Sequence, residues 1–189
     1  MARPREFDTD DALAKAMGVF WEHGYADATM PALLDGMSLT RGSLYKAFKD
    51  KKSLYLLVLA NYDEQAVSDA VVLLANTKLD GRDRIFALFD SIANTVEAGD
   101  RRGCLLCSAV AGPAGYDSDI ASHAAKSLDR LRVAFQSALD ASKIVEDAEP
   151  LAQLLVTQYV GLRILSRTSI SASVIRQNVE ALRGLLSRH

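Results

Sequence analysis

A chain of 189 residues, 49% hydrophobic, 24% charged and 7% aromatic, has room for one domain or two small ones around a real core. Eleven glycines and four prolines exclude a collagen-like or low-complexity chain, and so much apolar content excludes a disordered one. Twenty-two Lys and Arg against 24 Asp and Glu leave a net charge of −2, which argues against a generally basic nucleic-acid coat.

From the N-terminus, Arg3, Arg5, Glu6, Asp8, Asp10 and Asp11 occupy the place where a signal peptide would be apolar. Residues 8–23 then put Ala12, Leu13, Ala16, Met17 and Phe20 on one helical stripe, with Asp8 or Thr9 as cap and Gly24 as terminator. A short helix follows Thr29, tolerating Pro31 in its first turn and turning Leu33 and Leu34 inward. Gly36-Met37-Ser38-Leu39 interrupts it. Thr40 caps a third helix that reaches about Phe48, and Asp50 caps a long fourth running to about Ala75. The densest apolar run, Val71–Ala75, is far short of the roughly 18 residues that span a membrane. Beyond Asn76–Gly81 come helical patterns over 82–98, 118–141, 150–166 (opened by Pro150) and 173–187. Between the first two lie a short apolar stretch, Cys104–Ala111, and a Gly112-Pro113-Ala114-Gly115 loop. No segment alternates as a strand does. The expected fold is all-α with about nine helices: a small N-terminal domain, 1–60, and a larger helical body, 61–189. Two cysteines make no disulfide framework, so a reducing, cytoplasmic setting without a membrane partner is expected.

Charge is distributed unevenly. From Thr40 to Lys52 stand Arg41, Lys46, Lys49, Lys51 and Lys52 against Asp50 alone, a net +4 on an otherwise acidic chain. Two short helices joined by a tight turn, the second capped and basic, describe a helix-turn-helix. A helix of about nine residues is roughly 13 Å long and fits a major groove about 12 Å wide. Its leading residues must be short or polar for the backbone to approach bases, and Thr40, Arg41, Gly42 and Ser43 are. Tyr45 and Lys46 can reach phosphate or base edges, Leu44 and Phe48 hold the helix to its domain, and Lys49, Lys51 and Lys52 lie where the next helix begins, available to a DNA backbone. The same run would also suit an ordinary solvated surface.

The stretch Phe20–Leu54 resembles the DNA-binding domain of TetR-family transcriptional regulators. Phe20, Gly24-Tyr25, Thr29, Leu33, Ser43-Leu44-Tyr45, Phe48 and Lys51-x-x-Leu54 carry the resemblance. It implies a regulator, a repressor in the family's usual mode and not an enzyme, that binds a palindromic double-stranded DNA operator as a homodimer. The last two helices would form the dimer contact, and an effector acting on the C-terminal ligand-binding and dimerisation domain would release the DNA. Thr29, Tyr45 and Lys51 match positions that commonly touch phosphates, and Thr40, Arg41, Ser43 and Lys46 those that face the groove. The chain departs from the family at Ser38, where Gly is usual, and at Ala47, where many members have His.

Cys104 and Cys107 form a Cys-x-x-Cys motif. Three readings apply: small buried apolar residues, thiol oxidoreductase chemistry without DNA binding, or a redox sensor. Thioredoxin-like chemistry needs a preceding strand, which is not expected here, and structural zinc would need ligands from the distant His23, His123 and His189. Gly103-Cys104-Leu105 is similar to a segment of some TetR-family members whose cysteine acts as a sensor, and Arg101 and Arg102 beside a helix start would favour the thiolate. Phe86, Phe89, Tyr116, Gln158 and Tyr159, with Tyr62 and His123, are candidate ligand-pocket residues, though aromatics at helical spacing equally suit a core. An all-helical interaction module without DNA binding is the remaining alternative. No cofactor or metal is expected.

Overall fold

The computed structural model describes residues 7–143 and 146–187; Arg3, Arg5, Glu6 and His189 lie outside them. The described residues are helical throughout, with no strand. Helix α1 (Thr9–Asp27) is capped by the Asp8 carboxylate, which accepts from the amides of Asp10 and Asp11. Gly24, at φ 76° and ψ 170°, breaks it where the sequence places a terminator, and residues 25–27 follow as a short turn. Helices α2 (Met30–Met37), α3 (Arg41–Phe48) and α4 (Lys51–Tyr62) start under the side chains of Thr29, Thr40 and Asp50. Each cap satisfies an otherwise orphaned amide and contributes about 1 kcal/mol.

The α2–α3 turn hinges on Ser38, which adopts the left-handed conformation at φ 56° and ψ 40°. Glycine would adopt it without steric cost, which is why the departure at this position matters; in serine it costs roughly 1–2 kcal/mol. The bonds from Ser38 N to Asp35 O (3.0 Å) and Leu39 N to Leu34 O (2.9 Å) close the turn regardless.

The long fourth helix is one continuous rod with an irregularity that periodicity did not reveal. Helix α4 passes through a π-helical segment, Asp63–Val67, into α5 (Ser68–Leu74). Residue 60, the expected domain boundary, therefore sits inside a helix rather than at a loop. The body follows with α6 (Gly81–Glu97), α7 (Leu105–Ala111), a 3-10 turn (Pro113–Tyr116), α8 (Ser118–Ser142), α9 (Ala148–Leu165) and α10 (Ala172–Leu186). Helix α9 starts two residues before Pro150, because Asp147 supplies the cap. Counting the α4–α5 rod once, the described residues hold nine α-helical rods, as expected.

The N-terminal domain closes on Phe20, Leu33, Leu44, Phe48, Leu54 and Tyr55, all buried. Phe20 and Tyr25 flank the Tyr55 ring at 4.7 and 4.8 Å between centroids. In the body, Phe89 stacks on Phe135 at 5.8 Å. The start of α6 presses on α8 so closely that a Cβ on Gly81 would collide with the Ala138 carbonyl. The one buried arginine of this region, Arg84, donates to Leu79 O at 2.8 Å and Leu74 O at 3.4 Å, so its burial is compensated. No helix among the described residues is long and apolar enough to cross a membrane.

Candidate nucleic-acid interface

Helix α3 is held to its domain by Leu44 and Phe48, which are buried, and presents everything else outward. At eight residues it is about 12 Å long. Thr40 Oγ1 accepts from Ser43 N at 3.2 Å and pairs with Ser43 Oγ at 2.9 Å, so both short side chains are pinned against the helix start. Arg41, Gly42, Tyr45 and Lys46 are exposed on the leading surface, with Tyr45 44% accessible. Lys49 is exposed at the C-terminal end, in a positive-φ conformation (68°) that turns the chain towards α4. Thr29 shares its hydroxyl with the amide of Ala32 at the start of α2.

The five cations of the basic run do not act alike. Arg41, Lys46 and Lys49 make no ion pair with any described residue. Lys51 lies 4.9 Å over the Tyr25 ring and donates to Ala26 O at 3.3 Å; partial burial lowers its pKa. Lys52 is the surprise. Its ammonium sits between the carboxylates of Asp117 (2.8 Å) and Asp119 (2.7 Å), which hold its pKa well above the usual lysine range. Those aspartates belong to the start of α8, where Asp117 also caps the helix. Lys52 thus ties the N-terminal domain to the body, and a pairing across some 65 residues of sequence is invisible to local reading. Three free cations per chain remain on the face that α3 presents.

The cysteine pair is buried at the other end of α4. Cys104 occupies the N-cap of α7 and Cys107 its first turn, and both are free thiols, 2% and 0% exposed. Cys107 donates a hydrogen bond to Cys104, which with the Arg163 charge and the Tyr62 hydroxyl draws the Cys104 pKa below the usual thiol range against the cost of burial. Cys107 moves the other way, raised by the same bond and by burial. The arginine responsible is not one of the two next to it in sequence. Arg101 donates to the carbonyls of Thr168 (3.0 Å) and Ile170 (2.8 Å), while Arg102 pairs with Asp100 at 2.6 Å and covers the Trp21 ring at 4.4 Å. Arg163, from α9, donates to Gly103 O at 2.7 Å and keeps a buried, unpartnered Nε in the same neighbourhood.

The seven candidate pocket residues do not gather. Phe89 is core, Phe86 is buried under the Arg183 guanidinium at 4.3 Å, and Tyr116 is 95% exposed. Tyr62 and Tyr159 are buried beside Cys104, and Gln158 is half-buried on α9. His123 is half-buried, with Nε2 lacking a partner among the described residues. A cavity of about 120 Å³ lies elsewhere, lined by α1, α4, α7 with its following turn, and Arg167 after α9, and includes none of the seven. Among the described residues no group of three or more His, Cys, Asp and Glu is placed to hold a metal.

Compared with known proteins, residues 12–58 match the model of the bacterial regulatory proteins of the tetR family. The chain is 30% identical over 105 residues to the HTH-type transcriptional repressor ComR of Escherichia coli K12, a match spanning 55% of this chain and half of that protein. It is 23% identical over 188 residues to YezE, an uncharacterised HTH-type regulator of Bacillus subtilis 168, covering 95% and 96% of the two chains. A cysteine mutant of the TetR-family regulator CifR, solved with a 26-base-pair operator, superposes with a TM-score of 0.81 at 28% identity, covering 95% of this chain and 97% of that one. The reduced form of Escherichia coli NemR shares the fold, with a TM-score of 0.83 at 19% identity over 93% and 94% of the chains.

Proposed function

From the premise that this chain is a DNA-binding transcriptional regulator of the TetR family, we propose that it is a cytoplasmic repressor that binds a palindromic operator as a homodimer and is released by an effector acting on the helical body. The observation that carries this is the exposed, cation-bearing outer face of α3 on a body that is otherwise acidic. Thr40, Arg41, Gly42, Ser43 and Lys46 face the groove; Thr29, Tyr45, Lys49 and Lys51 serve the phosphates. Lys52 joins them only if it leaves Asp117 and Asp119.

Support for the dimer comes from an unpartnered apolar face. Leu154 and Leu165 on α9, and Val174 and Leu185 on α10, are exposed by 57%, 40%, 38% and 62%. Each pair is eleven residues apart, three turns along one face of its helix. Gly161, between the two α9 leucines, has open space beyond its Cα and permits close helix approach. Four such side chains on two consecutive helices, α9 packed on α8 and α10 on α6, suit a four-helix contact between two copies. Two recognition helices then reach successive major grooves when about 34–36 Å apart.

Cys104 is the residue best placed to make this repressor respond to oxidants or electrophiles, because the Cys107 donor, the Arg163 charge and the Tyr62 hydroxyl of the α4–α5 rod all favour its thiolate. Operator affinity of wild type and Cys104→Ser, each with and without peroxide, tests it: loss of binding confined to the wild type supports the sensor, and equal responses remove it. The wider proposal is tested by selecting bound duplexes from random fragments and titrating them against salt. The two phosphate-serving cations per subunit, Lys49 and Lys51, four per dimer, give a slope of about −4 in log K against log salt; a slope near zero means that the basic face does not bind DNA.

A further inference from the structure

We infer that the cavity between the N-terminal domain and the body is a binding site for a small carboxylate with an apolar, single-ring body, and that this ligand is an effector of the regulator proposed above. The effector part rests on that proposal; the site itself does not. The walls come from both halves of the molecule: Phe20, Tyr25 and Tyr55 on one side, Leu105, Ala109 and Arg167 on the other. The volume, about 120 Å³, is smaller than the roughly 300–1,000 Å³ of sites for drug-sized ligands and close to the ~150 Å³ that takes one benzene ring. Aromatic rings and apolar side chains among the lining select a flat apolar body.

Arg167 selects the polar end. Its Nη1 donates to Trp21 O at 3.1 Å and to Arg102 O at 2.8 Å, so the guanidinium is held at the junction of the two halves by neutral carbonyls. No described carboxylate pairs with it. A guanidinium fixed by neutral acceptors keeps its charge and its remaining N–H donors for an anion, and carboxylate matches that fork. The same rim carries one carboxylate, Asp27, with the Lys51 ammonium within electrostatic reach of it. Because the ligand needs both walls in place, its binding is linked reciprocally to the domain arrangement on which DNA affinity depends.

Trp21, the chain's one tryptophan, donates from Nε1 to Arg102 O, the carbonyl that Arg167 also holds, and reports on the site. Benzoate titrated into the full-length protein should change Trp21 fluorescence saturably, with one site per chain by calorimetry. Benzyl alcohol, the neutral analogue, should bind about tenfold or more weakly, a measurement on wild type that needs no variant. Ala109→Leu, which fills the cavity, and Arg167→Gln should each abolish or weaken benzoate binding by about tenfold while thermal unfolding remains cooperative. Benzoate at saturation should lower operator affinity by about fivefold or more. Absence of saturable benzoate binding, or equal binding of benzyl alcohol, overturns the site. Binding with unchanged operator affinity overturns the effector role, and benzoate binding by a protein that recognises no DNA supports the site while overturning the regulator reading.

Discussion

Leu44 and Tyr45 are adjacent in sequence and opposite in role, and replacing each by alanine separates holding the recognition helix from using it. Leu44 is fully buried and is one of two side chains that anchor an eight-residue helix. Truncating it to alanine leaves a void, at a cost of about 2–5 kcal/mol. In a chain of 189 residues each kcal/mol lowers Tm by roughly 2–4 °C, so the drop is on the order of 5–15 °C. Tyr45 is 44% exposed, and its truncation changes stability by less than about 0.5 kcal/mol. It does remove a ring and a hydroxyl from the proposed DNA face. A hydrogen bond of about 1–1.5 kcal/mol, removed from both subunits of a dimer, weakens operator binding by roughly 30–150-fold. Circular-dichroism melting and fluorescence anisotropy on a selected duplex read the two quantities independently. The reasoning fails if Tyr45→Ala melts several degrees low, if it binds as tightly as wild type, or if Leu44→Ala keeps wild-type stability.

Three further outcomes follow from other parts of the molecule. Replacing both Asp117 and Asp119 by Asn frees Lys52; since exposed ion pairs contribute about 0–1 kcal/mol, Tm should move by only a few degrees, while two added cations per dimer steepen the salt slope by about 2, and an unchanged slope returns Lys52 to a purely structural role. The Cys104 thiolate absorbance near 240 nm should titrate below the ordinary thiol range and shift upward in Cys107→Ala, which removes the donor; because the folded pKa is depressed, the associated stability is full above the unfolded thiol value of about 9 and is lost as pH falls through the lower folded value, and a midpoint near 9 in the native protein contradicts this. Leu154→Glu with Leu185→Glu should give a folded monomer by light scattering with wild-type helicity, and a persistent dimer would move the interface elsewhere.

Local chemistry made the architecture legible. Asp8, Thr29, Thr40 and Asp50 announce helix starts because their side chains bond the first amides, and Gly24 announces a stop because it accepts positive φ. Leu44 and Phe48, four apart, disclose which side of α3 faces inward. Features built by distant segments were not legible. Nothing near Lys52 indicates that Asp117 and Asp119 hold it. Proximity in sequence points to Arg101 and Arg102 as the arginines of the Cys104 site, whereas Arg163, on another helix, fills that place. Aromatic spacing marks a helix face without saying what it meets, so Phe89 and Tyr116 read alike in the sequence and proved fully buried and almost fully exposed. The π-helical segment at 63–67 leaves no mark on hydrophobic periodicity, because the rod continues through it.

The central claim is that the leading end of α3 reads base edges. The most direct measurement is methylation-interference footprinting of wild type and Arg41→Ala on a selected operator. The expected pattern is two major-groove patches centred about 10–10.5 base pairs apart, or a multiple of that spacing, on one face of the duplex. In Arg41→Ala, interference at one guanine or adenine of each patch should disappear while the flanking positions keep theirs. A wild-type pattern unchanged by Arg41→Ala, or protection confined to the phosphate backbone without regard to sequence, would contradict the claim.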